Sequence, residues 1–299
     1  MRVGAILLVG GRSTRMGRSK AGLDWHGEPL AARVARVLAR TVGDGQVVAV
    51  RAPGQDVPDL PDYVELVADP TEGDGPLRGL ARGLAALQGR SDIAFASSVD
   101  APFLHARFVN AVLAALGATD DAAVPVVHGR RHPLAAGYRI ALLPLVDDLL
   151  ALGERSPGVL LDQVRTRFLD ETILLATAGL GEVDPALDAL RNVNTQDEYD
   201  DARAVEPPHV TIEVLGALRR GSGGTRIEAP AARLEEAFAA AGLALDGHVV
   251  AAINGKQIVS DPWYPLAAGD RISLIAADAG VQTGAIPHPD RAPHRMDLS

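Results

Sequence analysis

The chain has 299 residues, 47% hydrophobic and 22% charged, enough to bury one large or two ordinary cores. A formal net charge of -9 and a pI near 5.4 argue against wholesale binding to nucleic acid or an anionic membrane, though not against a local basic site for phosphates. Cysteine is absent, which excludes disulfides and thiolate metal sites and fits a cytoplasmic home.

The first apolar run, residues 3–9, stops at Gly10-Gly11. It is too short to span a bilayer and reads as a buried parallel strand entering a glycine turn. Residues 29–41 predict a helix with Leu30, Val34, Val37, Leu38 and Thr41 on one face. Residues 46–51 and 64–68 read as strands. Residues 76–87 predict a helix with Leu77, Leu80, Leu84 and Leu87 in register, and residues 93–99 a strand closed by Asp100. The alternation continues to about residue 175. It predicts an α/β fold, a Rossmann-like, mostly parallel sheet with helices on both faces, which places ligands at the carboxyl ends of the strands.

Thr195 followed by Glu198 is a capping box, opening a helix expected to end near Val205. Glu206-Pro207-Pro208 then breaks it, because proline cannot continue the ladder. The boundary falls there, giving one domain over residues 1–205 and a small α+β domain over 209–280. In the second, strands are predicted at 210–215 and 226–229 about a turn at 219–225. A helix follows at 231–241, then a hairpin at 249–253 and 256–259 about Asn254-Gly255, and a last strand at 271–276. Residues 281–299, with three prolines and little apolar content, are expected to be disordered.

Chemistry concentrates in two places. After the first strand, Gly10 and Gly11 let the backbone approach a ligand, and Arg12, Arg15, Arg18 and Lys20 put four cations within nine residues. A triphosphate needs such a lining. The loop is neither a Walker A sequence nor a GxGxxG fingerprint, and on composition alone it reads equally as a solvated basic loop. Asp100 ends a buried strand before Pro102, where a carboxylate can hold Mg²⁺ on phosphate oxygens or simply cap a turn. Asp69 ends another strand and precedes Gly75-Pro76-Leu77, which reads either as a helix start beside the ligand with proline in its first turn or as an ordinary loop with an exposed Asp69. The histidines lack metal-ligand spacing, and Trp25 and Trp263 read as packing residues.

Taken together and in order, Leu8-Val9-Gly10-Gly11-Arg12 with Arg15 and Lys20, Asp69 with Gly75-Pro76-Leu77, Val99-Asp100, Arg131-His132-Pro133, and Asn192-Val193-Asn194-Thr195 resemble the molybdenum cofactor guanylyltransferases, among the glycosyltransferase-A-like nucleotidyltransferases. The likeness covers about residues 1–205. It implies a Mg²⁺-dependent enzyme that moves GMP from GTP onto molybdopterin and releases pyrophosphate. Leu8, Val9 and Gly10 then match the main chain at the base. Gly11, Arg15 and Lys20 match the triphosphate grip, Asp69 a nucleotide contact, and Asp100 the metal-binding carboxylate. Arg131, His132, Asn192 and Asn194 match the acceptor side. Val9 stands where alanine is usual and Ser19 where aspartate is usual. The double glycine looks like the guanylyl branch rather than the cytidylyl branch, which uses CTP. A cytidylyltransferase or other small-phosphate nucleotidyltransferase, and a non-catalytic nucleotide-binding protein, are the alternatives.

The second domain resembles the ubiquitin-like (β-grasp) sulfur carriers, the small subunit of molybdopterin synthase and its thiamine-pathway relative, through Asn254-Gly255-Lys256, Pro265-Leu266 and Gly269-Asp270. Those carriers act through a terminal Gly-Gly, whereas this chain reads Asp278-Ala279-Gly280 and continues for 19 residues. The resemblance therefore implies a docking role toward molybdopterin-synthesis proteins, with sulfur transfer requiring cleavage after Gly280.

Overall fold

The computed structural model describes residues 1–10, 19–43, 46–69, 75–177, 179–218, 225–245 and 248–276. Strand β1 (Val3–Leu8) lies inside the larger sheet, with strands on both sides. Its side chains alternate between two cores, Ala5 and Leu7 facing one and Ile6 and Leu8 the other. A strand covered on both faces must be apolar at every position, which is why this segment shows no polar alternation.

Helix α1 (Leu30–Val42) follows, then β2 (Val47–Arg51), β3 (Glu65–Ala68), helix α2 (Gly75–Leu87) and β4 (Ile93–Ser98). Helix α3 (Ala106–Ala115), β5 (Ala122–Val127), β6 (Ala135–Arg139), α4 (Leu143–Ala151), α5 (Pro157–Gln163) and β7 (Thr166–Leu169) complete this part. The strand order is β7-β5-β6-β4-β1-β2-β3, with the short Arg130–Arg131 strand paired to β5. β1 is parallel to β2 and β4, β2 to β3, and β5 to β7.

β6 is antiparallel to both of its neighbours. The connection from β5 is a tight return, too short for the crossover that a parallel pair requires. The order reverses at β1, with β2 on one side and β4 on the other, so a crevice opens beyond the carboxyl ends of β1 and β4.

Helix α6 (Gln196–Arg203) begins with the expected capping box. Thr195 Oγ1 accepts from the Glu198 amide, and Glu198 accepts from the Thr195 amide. Beyond Pro207-Pro208 lies a second sheet of β8 (His209–Val214), β9 (Thr225–Pro230), β10 (Val249–Ile253), β11 (Gln257–Val259) and β12 (Arg271–Ala276), ordered β9-β8-β12-β10-β11. β12 is parallel to β8 and every other pair is antiparallel.

Asn254 and Gly255 turn the hairpin with φ of 53° and 69°, the left-handed pair that Asn-Gly favours. Helix α7 (Leu234–Ala240) packs Leu234, Ala237 and Phe238 into this sheet's own core. It starts later than its composition suggests. The Ala231 amide donates to the Pro208 carbonyl, and Arg233, extended at φ -144° and ψ 164°, bridges Pro265, so the helix opens only at Leu234. The expected turn at 219–225 and the tail at 281–299 lie almost wholly outside the described residues.

The two sheets meet across α1. Arg33, Arg36 and Arg40 lie on one helical face by their spacing. Arg33 Nη1 donates to the Ala232 carbonyl at 2.8 Å, and Arg36 pairs with Asp261. Arg40 grips Asp270 with two bonds of 2.7 and 2.8 Å and donates to the Pro265 carbonyl. Asp270 is fully buried, and its oxygens also accept from Asn254 Nδ2 and the Ala267 amide.

Burial alone pushes the Asp270 carboxyl up, but Arg40, Asn254 and the Ala267 amide hold it below the usual carboxylate value. A depressed carboxyl contributes stability above its unfolded value near pH 4, and that contribution is lost as pH falls through the folded value. Asp270→Ala, which leaves Arg40 buried without its counter-ion, is expected to destabilise the chain by about 3–5 kcal/mol in denaturant unfolding at pH 7. Its melting temperature should also fall less than the parent's between about pH 4 and pH 2.

Candidate active site

The turn after β1 is held from the β2 side. The Val9 and Gly10 amides both donate to the Val50 carbonyl, at 3.0 and 3.3 Å. A Cβ on Gly10 would sit 3.2 Å from the Ala52 nitrogen, so glycine allows this close approach of two backbones. Gln55 completes the anchor. Its Nε2 donates to the Val9 carbonyl at 2.9 Å, and its Oε1 accepts from the Ala52 amide at 3.0 Å. The Leu8 carbonyl accepts from the Val99 amide at 3.1 Å, which ties the end of β1 to the residue before Asp100.

Lys20 opens a short helical turn (Lys20–Gly22). Its Nζ lies 2.8 Å from Asp100 Oδ2 and 2.9 Å from Asn194 Oδ1. The other carboxylate oxygen, Asp100 Oδ1, accepts from Ser98 Oγ at 2.6 Å. Both members of the ion pair are mostly buried, with 19% and 15% of their side chains exposed. The pairing is therefore stronger than a surface contact, while one edge stays open to a ligand.

Asn194 is fixed by its own chain. The Val193 amide donates to the Asp100 carbonyl at 2.9 Å, and the Asn194 amide donates to Glu198 Oε2 at 2.6 Å. The Asn194 amide bond, opposed by burial and helped by the Thr195 amide and the nearby Lys20 charge, holds the Glu198 carboxyl below its usual value.

Of the residues singled out in the sequence, Lys20, Asp100 and Asn194 are thus brought into direct contact, with Leu8, Val9 and Gly10 on the adjoining strand. Asp69 ends β3 on the same edge of the sheet, two strands from β1, and its amide donates to the Arg51 carbonyl. Asn192 is exposed beside Val193.

Arg131 is not drawn into the cluster. It pairs with Asp162 at 2.6 Å and lies 4.7 Å over the Phe168 ring. His132 is half-buried in the loop whose Leu134 carbonyl accepts from the Ser98 amide. Burial lowers the His132 pKa, a backbone bond to Val127 opposes this, and Arg130 and His128 lower it further. Gly11 and Arg15 lie outside the described residues.

Ser98, Gln55 and Glu198 were not singled out as site residues. Glu198 carried a sequence signal only as a helix cap, and Ser98 only as a polar residue ending an apolar strand. A cavity of about 220 Å³ between the two sheets is lined by Trp25, Arg33, Phe103 and Leu266 rather than by Lys20, Asp100 or Asn194.

A lysine, a carboxylate and an asparagine meet at the reversal point of a mostly parallel sheet, the place where open α/β sheets receive ligands. The chain belongs to the family described as the MobA-like NTP transferase domain, which matches residues 5–167, and it is a nucleotidyltransferase. Over 163 residues it is 38% identical to a probable molybdenum cofactor guanylyltransferase of Mycobacterium tuberculosis, covering 52% of this chain and 78% of that protein. Over 209 residues it is 28% identical to a probable molybdenum cofactor guanylyltransferase of Bacillus cereus, covering 66% and 94%. The crystal structure of molybdopterin-guanine dinucleotide biosynthesis protein A from Archaeoglobus fulgidus superposes with a TM-score of 0.52 at 21% identity, over 68% of this chain and 97% of that one. At that identity the likeness speaks for the fold, an α/β nucleotidyltransferase sheet. No helix among the described residues is long and apolar enough to cross a membrane.

Ser98→Ala removes one hydrogen bond to the Asp100 carboxylate and leaves the strand's backbone pairing intact. Nucleotidyl transfer is expected to fall about tenfold, and the melting temperature to fall by a few degrees, because one hydrogen bond to a mostly buried carboxylate is lost. Steady-state pyrophosphate release and a thermal melt check the two halves of that statement.

Proposed function

We propose that the chain transfers GMP from GTP to the phosphate of molybdopterin and releases pyrophosphate. The observation that carries this reading is the Lys20–Asp100–Asn194 contact. It gathers residues 80 and 174 positions apart in the chain at the strand ends where a nucleotide's phosphates are held. The double glycine at Gly10-Gly11 and the names of the relatives support guanine over cytosine. Residues 1–205 form the transfer domain in this reading.

In the transfer, an oxygen of the acceptor phosphate attacks the α-phosphorus of GTP in line. The bond from that phosphorus to the bridging oxygen breaks, and the electron pair leaves with pyrophosphate. A phosphate monoester is already anionic near neutral pH, so no strong base is needed and the protein's task is positioning and neutralisation. Lys20, with Arg15, takes the charge of the leaving pyrophosphate. Asn194, set by Glu198 and by the Asp100 carbonyl, keeps the lysine ammonium aimed. His132 and Asn192 lie on the acceptor side.

Asp100 would hold Mg²⁺ together with the phosphate oxygens. Among the described residues no group of three or more His, Cys, Asp or Glu could form a metal cage. The donor set still suits this ion, which takes one or two carboxylates and completes its shell with phosphates and water. Each Asp100 oxygen has a second lone pair beyond the contact it already makes. The ion would supply charge neutralisation at the α-phosphate.

Residues 209–280 are read as a ubiquitin-like β-grasp domain, supported by the parallel β8–β12 pair flanked by hairpins and covered by one helix. Its role in this reading is docking to molybdopterin-synthesis proteins, with the chain working in the cytoplasm.

The test is pyrophosphate release with GTP, CTP, ATP and UTP, each with and without molybdopterin. Release that requires both GTP and molybdopterin is expected, and release with CTP alone among the nucleotides would transfer the reading to a cytidylyltransferase. Lys20→Ala and Asp100→Ala are each expected to lower turnover by about 10²-fold or more, the effect of losing one electrostatic stabiliser. Chelation of divalent ions should abolish release, with recovery on adding Mg²⁺. Nucleotide binding without any release would leave only a non-catalytic binding protein.

A further inference from the structure

The second unit reaches the hairpin that follows the Lys20 turn through Arg233, backed by Trp263. Arg233, just before α7, donates from Nη1 to the His26 carbonyl at 2.8 Å and lies 4.2 Å over the Trp263 ring. Its acceptor belongs to the turn of a short hairpin, Asp24–Trp25 paired with Glu28–Pro29. The turn uses two left-handed residues, His26 at φ 53° and Gly27 at φ 94°. A Cβ on Gly27 would meet Arg233 Nη1 at 3.4 Å and the Trp263 ring at 3.7 Å, so the turn both needs glycine and is covered by this pair.

The hairpin is continuous with the turn that carries Lys20. The Leu23 amide donates to the Lys20 carbonyl at 3.2 Å, and the Leu30 amide donates to the Leu23 carbonyl at 2.8 Å. Its other contacts are to the remaining two site segments. Trp25 meets Phe103, three residues beyond Asp100, edge to face with centroids 5.6 Å apart. Tyr199 of α6 donates to the Asp24 carbonyl, and Arg203 pairs with Asp24 at 3.1 Å. The hairpin therefore touches every segment that supplies Lys20, Asp100 or Asn194. Glu28, buried within it, is faced by the cations of Arg33, Arg36 and Arg233. Arg233 lies outside residues 5–167, the span of the family match.

We propose that Arg233 is a positioning residue for nucleotidyl transfer: from the second sheet it fixes the His26–Gly27 turn, and through it the place of Lys20 against Asp100 and Asn194. The inference rests on the transfer reading given above. It makes the second sheet a working part of the site rather than an independent appendage, since the contact is made within one chain and needs no partner.

The test compares the full chain with Arg233→Met and Arg233→Lys by hydrogen exchange and by kinetics. In Arg233→Met, amides of residues 19–30 should exchange about tenfold faster while β1 and β4 stay protected, the signature of a local opening. Turnover should fall about fivefold with the acceptor KM unchanged, as expected when only transition-state positioning is lost. Arg233→Lys retains a donor for the His26 carbonyl and should recover at least half of the turnover. Parental exchange at residues 19–30 together with parental turnover in Arg233→Met overturns the proposal, as does an equal loss in the methionine and lysine variants. Should Arg233→Met fail to fold, Trp263→Leu removes the stacking partner from the other side. It is held to the same two readouts. If the unsubstituted chain shows no transfer at all, the reaction reading fails, and the exchange of residues 19–30 decides the positioning by itself.

Discussion

The pairing of β1 with β2 on one side and β4 on the other is the constraint from which the rest of the site follows. It carries the Leu8 carbonyl to the Val99 amide and the Val9 and Gly10 amides to the Val50 carbonyl. The glycine turn and Asp100 are thereby fixed within one crevice before any side chain is considered. Register matters because strand side chains alternate. A one-residue slip of β4 would turn Ser98 away from its present face and would separate Asp100 from the end of β1. The apolar continuity of residues 3–8 supports this pairing, since both faces of the strand are buried.

On that frame the polar contacts form a closed set. Lys20, Asp100 and Asn194 come from three distant parts of the chain, and each is held by a neighbour that does not belong to the triad: the Leu23 amide, Ser98 and Glu198 respectively. Ser98 restricts the Asp100 carboxylate, while the Leu23 amide and Glu198 fix the backbones from which Lys20 and Asn194 project, and the side-chain bonds to Asp100 and Asn194 direct the lysine charge. The helix cap at Thr195 and Glu198 has two consequences at once. It ends the orphan amides of α6, and it sets the backbone of Asn194.

The second sheet is held through largely buried arginines, Arg33 buried and Arg36 and Arg40 mostly out of solvent. Arg33, Arg36 and Arg40 occupy the face of α1 that an isolated amphipathic helix would leave in water. Each reaches a partner beyond residue 208, Ala232, Asp261 and Asp270 respectively. A buried ion pair is weak evidence for stability, because desolvation offsets much of the attraction. It is strong evidence for a single orientation, since a displaced Arg40 would remain buried without Asp270. Orientation is also what the contact of Arg233 with the His26–Gly27 turn requires.

The sequence by itself determined the strand and helix alternation, the glycine turn, the Asn254-Gly255 hairpin and the α6 cap, because each depends on local backbone preference or on the period of apolar residues. Asp100 is legible in it as a carboxylate closing an apolar strand and Lys20 as one of four cations after a glycine turn, whereas Asn194 is marked only by the family resemblance. Only the tertiary structure decided that these three touch, that Arg131 turns instead to Asp162, and that β6 runs against its neighbours. The same holds for the arginine face of α1, which is buried although arginine usually reads as a solvent-facing residue. These outcomes depend on which distant segments pack together. A side chain's partner across 80 or 174 residues is set by sheet order and register, and neither is written in the residue's own neighbourhood.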